Sequence, residues 1–75
     1  MTYVFFRSPF HNSCYIIGKL IKKTKKRTFY HFIKEGKHWK WHENHPNKKY
    51  YYMNKSWGWK ETYYENLEDI IVEFI

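Results

Sequence analysis

A seven-residue pattern that occurs twice constrains the fold of this chain more than any other feature. Residues 37–43 and 55–61 both read K-x-W-x-W-x-E, and the two copies contain all four tryptophans. Side chains alternate between the two faces of a β-strand, so each copy would place its Lys, both Trp and its Glu on one face. An apolar or aromatic run precedes each copy. The repeat therefore predicts two tandem β-hairpins of one design.

Four further segments have the composition of β-strands. Residues 2–7, 14–23, 29–34 and 49–53 are rich in branched and aromatic side chains, which is typical of strands. Together with the two repeat copies they predict a β-rich α+β fold, built on a small antiparallel meander sheet of five to six strands. The first of these segments has few charges, so we expect it to form an exposed edge through which the chain could form a homo-oligomer.

The C-terminal segment has a helical period. Leu67, Ile70, Ile71 and Phe74 recur at the spacing of one apolar helix face, and Asn66 is a suitable N-cap. The branched residues at 70–75 also fit a last strand, and the helix is the preferred interpretation. Polar residues alternate with the tryptophans and favour solvent, so we expect most tryptophans in the core. We therefore predict that the helix packs on the tryptophan side of the sheet.

The length and the cysteine content limit the class of protein. Seventy-five residues make a single small domain, with hairpins in 1–60 and an acidic C-terminal helix in 61–75. The single cysteine, Cys14, excludes an internal disulfide. No apolar stretch is long enough to span a membrane, and the N-terminus lacks the features of a signal peptide. We therefore expect a cytoplasmic protein with no membrane partner.

The charge is positive and unevenly distributed. The net charge is +7, and all 14 Lys and Arg residues lie within 1–60, whereas 61–75 hold five of the seven acids and no base. A cationic body of this kind attracts polyanions. The run at 22–27 is basic at five of six positions, so we expect it at an exposed hairpin tip. The predicted nucleic-acid-binding residues are these five cations and two lysines of the outer sheet face: Lys22, Lys23, Lys25, Lys26, Arg27, Lys40 and Lys60.

Two functions from different classes follow. The leading interpretation is a non-enzymatic nucleic-acid-binding module that contacts the DNA or RNA backbone with weak sequence specificity and needs no cofactor. The alternative is a viral or phage accessory protein, located in the host cytoplasm, that inhibits a host or defence protein by occluding an acidic surface. The absence of alanine and glutamine is typical of AT-rich genomes, which include those of some viruses. The protein-binding residues would be exposed tyrosines: Tyr50, Tyr51, Tyr52, Tyr63 and Tyr64.

Metal and catalytic sites are less well supported. His11, Cys14, His42 and His45 are possible zinc ligands. However, His38 and His42 would lie about 13 Å apart on a strand, so no metal site is predicted. A dyad of the cysteine with a histidine is also disfavoured, because a lone cysteine in a strand is more often a small buried apolar group. The acids cluster in the tail and no phosphate-binding glycine loop is present, so no catalysis is predicted.

Overall fold

The fold is one antiparallel sheet with a short C-terminal helix. The computed structural model describes residues 1–11, 14–36, 40–46 and 48–74. In chain order the elements are β1 (Tyr3–Arg7), β2 (Tyr15–Lys23), β3 (Arg27–Glu35), β4 (Tyr51–Asn54), a 3₁₀ turn (Lys55–Trp57), β5 (Lys60–Tyr64) and α1 (Leu67–Phe74). The strand order is β4-β3-β2-β1-β5. The predicted class, a small antiparallel meander sheet with one C-terminal helix, is confirmed.

Strand β1 lies in the interior of the sheet, between β2 and β5. It pairs with β2 on one side, where Phe5 lies opposite Ile17, and with β5 on the other, where Phe5 lies opposite Thr62. The prediction that 2–7 forms an exposed edge is therefore wrong, because β5 returns across the sheet and covers it. The outer strands are β4 and β5.

The β2–β3 hairpin bends the sheet. Its register shifts between Ile17 and Gly18 and again between Leu20 and Lys22. Such bulges increase the local twist of a strand. The coiled sheet brings β3 close to β5, where the hydroxyl of buried Thr28 donates to Oε1 of Glu61 over 2.6 Å. This bond links β3 to β5, two strands that are not neighbours in the sheet.

The core has two parts, one on each face of the sheet. The larger part, which we call the Phe6 face, consists of Val4, Phe6, Ile16, Tyr30, Tyr51 and Met53, with Phe32, Trp59 and Tyr63 packed against it. The smaller part, the Phe5 face, consists of Phe5, Ile17 and Ile70, with Tyr3, Tyr15, Tyr64 and Leu67 packed against it. Alternation along β1 separates the two parts.

Helix α1 confirms the preferred interpretation of the C-terminal segment. It begins at Leu67, directly after Asn66, and has Glu68 and Asp69 in its first turn. It covers the Phe5 face through fully buried Ile70, whereas Trp59 packs on the opposite face. The prediction that the helix packs on the tryptophan side is therefore wrong. Residues 60–64, partly assigned to the helical segment, form β5 instead. In the part of the chain that the structure describes, no helix is long and apolar enough to cross a membrane.

The two repeat copies do not form strands of one design. In the first copy, 41–44 form a turn, and the portion 37–39, which includes Trp39, lies outside the described residues. In the second copy, residues 55–57 form the 3₁₀ turn, which ends at Gly58 with a left-handed φ of 80°, and the extended conformation begins only with β5 at Lys60. Strand alternation therefore does not apply to Trp41, Trp57 and Trp59, the tryptophans that the structure describes. Trp41 is 37% and Trp57 50% exposed, against the prediction of a core position, while Trp59 is half-buried.

Candidate functional site

The basic run lies at the tip of the β2–β3 hairpin, as the sequence predicts. Thr24 closes this tip, because its backbone N–H donates to the carbonyl of Arg27 over 2.8 Å and its hydroxyl accepts the N–H of Arg27 over 3.1 Å. We call Lys22, Lys23, Lys25, Lys26 and Arg27 the basic tip, and the structure leaves all five exposed. Their ammonium and guanidinium groups are thus available to a polyanion.

A sixth cation joins the basic tip from a distant part of the sequence. The backbone N–H of Lys55 donates to the carbonyl of Lys26 over 2.9 Å, which places the 3₁₀ turn beside the hairpin end. Arg27 strengthens this junction, because its Nε donates to Oδ1 of Asn54 over 2.9 Å. The sequence pattern gave no reason to group Lys55 with the tip, since 28 positions separate it from Arg27.

Three aromatic rings adjoin the basic tip, and two of them, Tyr52 and Trp57, are exposed. The guanidinium of Arg27 lies 4.6 Å from the ring centroid of Tyr52, and this ring stacks on Trp57 with the centroids 6.2 Å apart. The ammonium of Lys22 lies 4.9 Å from the ring centroid of Phe29, and Phe29 is 6.1 Å from Tyr52. We call these five residues the aromatic–basic patch. Tyr52 is 39% exposed, so the patch is open to solvent at the β4 edge.

Two of the predicted nucleic-acid-binding lysines lie away from the basic tip. Lys40 precedes the turn at 41–44 and forms an ion pair of 3.6 Å with Glu43, beyond the far end of β3. Lys60 lies opposite Arg7 in the β1–β5 ladder, and Arg7 in turn lies opposite the first residue of β2. The prediction grouped Lys40 and Lys60 on one outer sheet face because it assumed that the first repeat copy is a strand. Residues 41–44 form a turn instead, so this assumption does not hold.

The five tyrosines predicted as a protein-binding surface are divided between surface and core. Tyr50 is 53% exposed and Tyr52 39% exposed. Tyr51 is only 6% exposed, and its hydroxyl donates over 2.6 Å to a backbone carbonyl of the β3–β4 connection. Tyr63 and Tyr64 are half-buried and pack against opposite faces of the sheet. Strand alternation separates Tyr51 from its two neighbours, so the five do not form one exposed patch.

A pocket of about 420 Å³ is lined by core residues of the Phe6 face and by the connections that border it. Buried Ile16, Tyr30 and Met53 contribute core side chains to its lining. The other lining residues are mostly aromatic and come from three connections and the β4 edge: Phe10, Trp41, His42, Lys48, Tyr52, Trp57 and Trp59. Both repeat copies therefore contribute tryptophans to the same pocket. The ammonium of Lys48 lies 5.1 Å from the ring centroid of Trp41.

Three buried polar side chains next to the pocket, those of Glu35, His42 and Tyr30, are joined by hydrogen bonds, and we call them the buried polar chain. Nδ1 of His42 lies 2.6 Å from Oε2 of Glu35, and its Nε2 lies 2.7 Å from the hydroxyl of Tyr30. The same carboxylate oxygen accepts the backbone N–H of His42 over 3.1 Å, and the imidazole stacks on Phe32 with the centroids 4.2 Å apart. These contacts attach the β3–β4 connection to the sheet.

Burial determines the protonation states of His42 and Tyr30 in the buried polar chain. It lowers the pKa of His42 from its ordinary value, against the opposing effect of the Glu35 carboxylate, so the imidazole is neutral at pH 7. Its Nδ1–H therefore donates to Glu35, and its Nε2 accepts the hydroxyl proton of Tyr30. Burial also raises the pKa of Tyr30. The phenol stays protonated and its proton is directed at His42, so this arrangement serves to hold the connection.

The possible zinc ligands do not form a ligand set. Among the described residues no group of three or more His, Cys, Asp or Glu side chains could hold a metal ion. Both ring nitrogens of His42 have protein partners, and Nδ1–H of His45 donates to the carbonyl of Trp41 over 2.7 Å. Cys14 is buried, and its bond with His11 is between backbone groups, from the N–H of Cys14 to the carbonyl of His11.

No family model matches the chain, and no curated protein or solved structure is significantly similar to it. The basic tip, the aromatic–basic patch and the pocket are therefore the features from which a function can be inferred. The sequence did not identify four residues of these features as binding residues: Phe29, Lys48, Lys55 and Trp57. Phe29 was detectable in principle, because an aromatic residue directly after a basic run fits a single-strand binding surface.

Proposed function

We propose that the protein is a non-enzymatic module that binds single-stranded nucleic acid. In this proposal the basic tip contacts phosphates, and the aromatic–basic patch stacks bases. One observation carries the proposal: cations of the tip lie over aromatic rings, with Arg27 over exposed Tyr52 at 4.6 Å and Lys22 over half-buried Phe29 at 4.9 Å. Positive charge interleaved with aromatic rings is an arrangement by which proteins hold single strands without reading their sequence.

The position of the acids supports this assignment. Helix α1 carries Glu68 and Asp69 and packs on Phe5 and Ile17, whereas the patch belongs to the tip end of β2, to β3, to β4 and to the 3₁₀ turn. Glu61 on β5 accepts a hydrogen bond from Thr28. Lys23 of the tip interacts with this region, because a hydrogen bond with Tyr63 and, to a smaller extent, the charge of Glu61 raise the pKa of its ammonium group. The tip sets five cations against this one carboxylate, so its net positive charge would steer a polyanion towards it.

The proposal predicts steeply salt-dependent binding. Each phosphate contact to a single strand contributes about −0.7 to the slope of log K against log salt, so five contacts from the tip give a slope of about −3.5. Replacing Lys22, Lys25 and Lys26 together by alanine should reduce the magnitude of that slope by about 2. The measurement is fluorescence anisotropy with a labelled mixed-sequence single-stranded oligonucleotide, titrated at several salt concentrations.

A matched variant separates the tip from the overall charge. Replacing Lys34, Lys40 and Lys60 by alanine also removes three positive charges, but from positions outside the tip. This variant should keep a slope close to that of the original chain. Equal slopes for the two triple variants would refute the assignment to the tip, and an absence of binding by the unaltered chain at low salt would refute nucleic-acid binding itself.

Exposed Tyr50 and Tyr52 favour a second candidate, binding to a host or defence protein by occlusion. Aromatic side chains with a polar surround are frequent anchors of protein interfaces, and Tyr50 lies 5.9 Å from Phe29 at the margin of the patch. The chain would then act as a small inhibitor that covers an acidic surface. A protein partner would be retained by immobilised chain and lost from a Tyr52→Ala variant, while no oligonucleotide would bind.

A further inference from the structure

We infer that the pocket beside the aromatic–basic patch receives one base of the bound strand. This inference rests on the proposed function and adds a second, enclosed contact to the open patch. The pocket volume of about 420 Å³ falls within the roughly 300–1,000 Å³ that small-molecule sites occupy. Single-stranded nucleic acid can supply such an occupant, because its unstacked bases turn out of the strand and insert between aromatic rings.

The pocket and the patch are continuous. Tyr52 and Trp57 belong to the patch and also line the pocket, and their rings stack with the centroids 6.2 Å apart. From this shared wall the pocket extends to Trp41 on the β3–β4 connection and to Phe10 on the β1–β2 connection. A strand whose phosphates follow the basic tip would therefore pass the pocket within the span of its next nucleotides.

The charge of the lining selects the occupant. Aromatic cages often bind methylated ammonium groups, but the lining named for this pocket contains no carboxylate and does contain Lys48, whose ammonium lies 5.1 Å from the Trp41 ring centroid. A cation would be repelled by this lysine and by the net charge of +7. An aromatic group attached to a phosphate fits both the aromatic rings and the lysine of the lining, with its ring between the tryptophans and its anionic group near Lys48.

The polar groups of the lining indicate weak base selectivity. The hydroxyl proton of Tyr30 and Nε2 of His42 bond to each other over 2.7 Å, so neither this donor nor this acceptor is available to read the edge of a base. Stacking without hydrogen-bond readout accepts all bases. The pocket would therefore add affinity and hold one nucleotide in place without specifying sequence.

The test compares two ligands with the full-length chain: a short oligothymidylate and an abasic strand of the same length. Phe10→Ala and Trp41→Ala change pocket residues outside both the tip and the patch. Each should weaken oligothymidylate binding by roughly 5- to 150-fold, the range for loss of one stacked base, and leave abasic binding unchanged. Ile33→Ala is the control, because Ile33 is an exposed apolar residue that does not line the pocket, and it should change neither affinity.

The outcomes separate this inference from the proposed function. If both pocket variants bind oligothymidylate as tightly as the original chain, or lose affinity equally for both ligands, the pocket holds no base although the strand still binds. If the unaltered chain binds neither ligand at low salt, both proposals fail. Phe10 is 83% exposed, so its replacement leaves the core intact and gives a result independent of any folding defect in the Trp41 variant.

Discussion

Replacing Tyr30 by phenylalanine tests whether the buried polar chain holds the β3–β4 connection. The ring contacts of Tyr30 with Phe6 and Tyr51, at centroid distances of 5.0 and 6.0 Å, would be retained, so the variant removes one hydroxyl and little else. That hydroxyl donates to Nε2 of His42, whose residue is 3% exposed. A buried acceptor left without its partner costs about 1–3 kcal/mol, and we expect the free energy of unfolding to fall by about that amount.

Urea unfolding followed by tryptophan fluorescence measures this change. If the denaturant slope is about 1 kcal/mol per molar, as for small proteins, the midpoint should fall by about 1–3 M with the slope unchanged. Tyr50→Phe is the matched control, because Tyr50 is 53% exposed and surface changes usually stay within about 0.5 kcal/mol. A Tyr30→Phe variant as stable as this control would show that the bond to His42 contributes nothing, and the reasoning about the connection would be refuted.

Two further predictions concern stability. Because burial lowers the folded-state pKa of His42 below its ordinary 6.5, the unfolded chain binds the proton more readily, so the free energy of unfolding should decrease as the pH falls below about 6.5. A His42→Gln variant should show a smaller decrease in urea titrations at several pH values, and an unchanged decrease would contradict this assignment. Gly18→Ala should lower the unfolding free energy by about 1–3 kcal/mol, because its added Cβ would lie 2.5 Å from Cδ2 of Tyr30; an unchanged thermal midpoint would contradict the close approach.

The strands and the helix were predictable because their signals are local. Branched and aromatic runs identify β1, β2 and β3, and the apolar stripe that includes Leu67 and Ile70 identifies α1. The pairing of β1 with β5 was not predictable in this way. It joins residues more than 50 positions apart, such as Val4 and Tyr63, and a segment's own composition does not say which strand will lie beside it.

The basic tip was predictable for the same reason, and the rest of the candidate site was not. Consecutive cations at 22–27 must remain in solvent, which places them at a hairpin end. The patch and the pocket depend on how the 3₁₀ turn and the β3–β4 connection fold over the sheet. Lys55 joins the tip through a backbone hydrogen bond with Lys26, and no side-chain pattern encodes such a bond.

The repeat predicted strands of one design in both copies, and the structure does not show them in the residues that it describes. For the second copy, a single glycine explains the departure. A W-x-W spacing places both rings on one face only if the intervening residue is extended, and Gly58 instead has a φ of 80°. Trp57 therefore remains exposed and stacks on Tyr52, while Trp59 packs against the core. Both rings, together with Trp41 of the first copy, line the pocket. The repeat thus supplies rings to one aromatic site from two irregular segments, one before β4 and one after it.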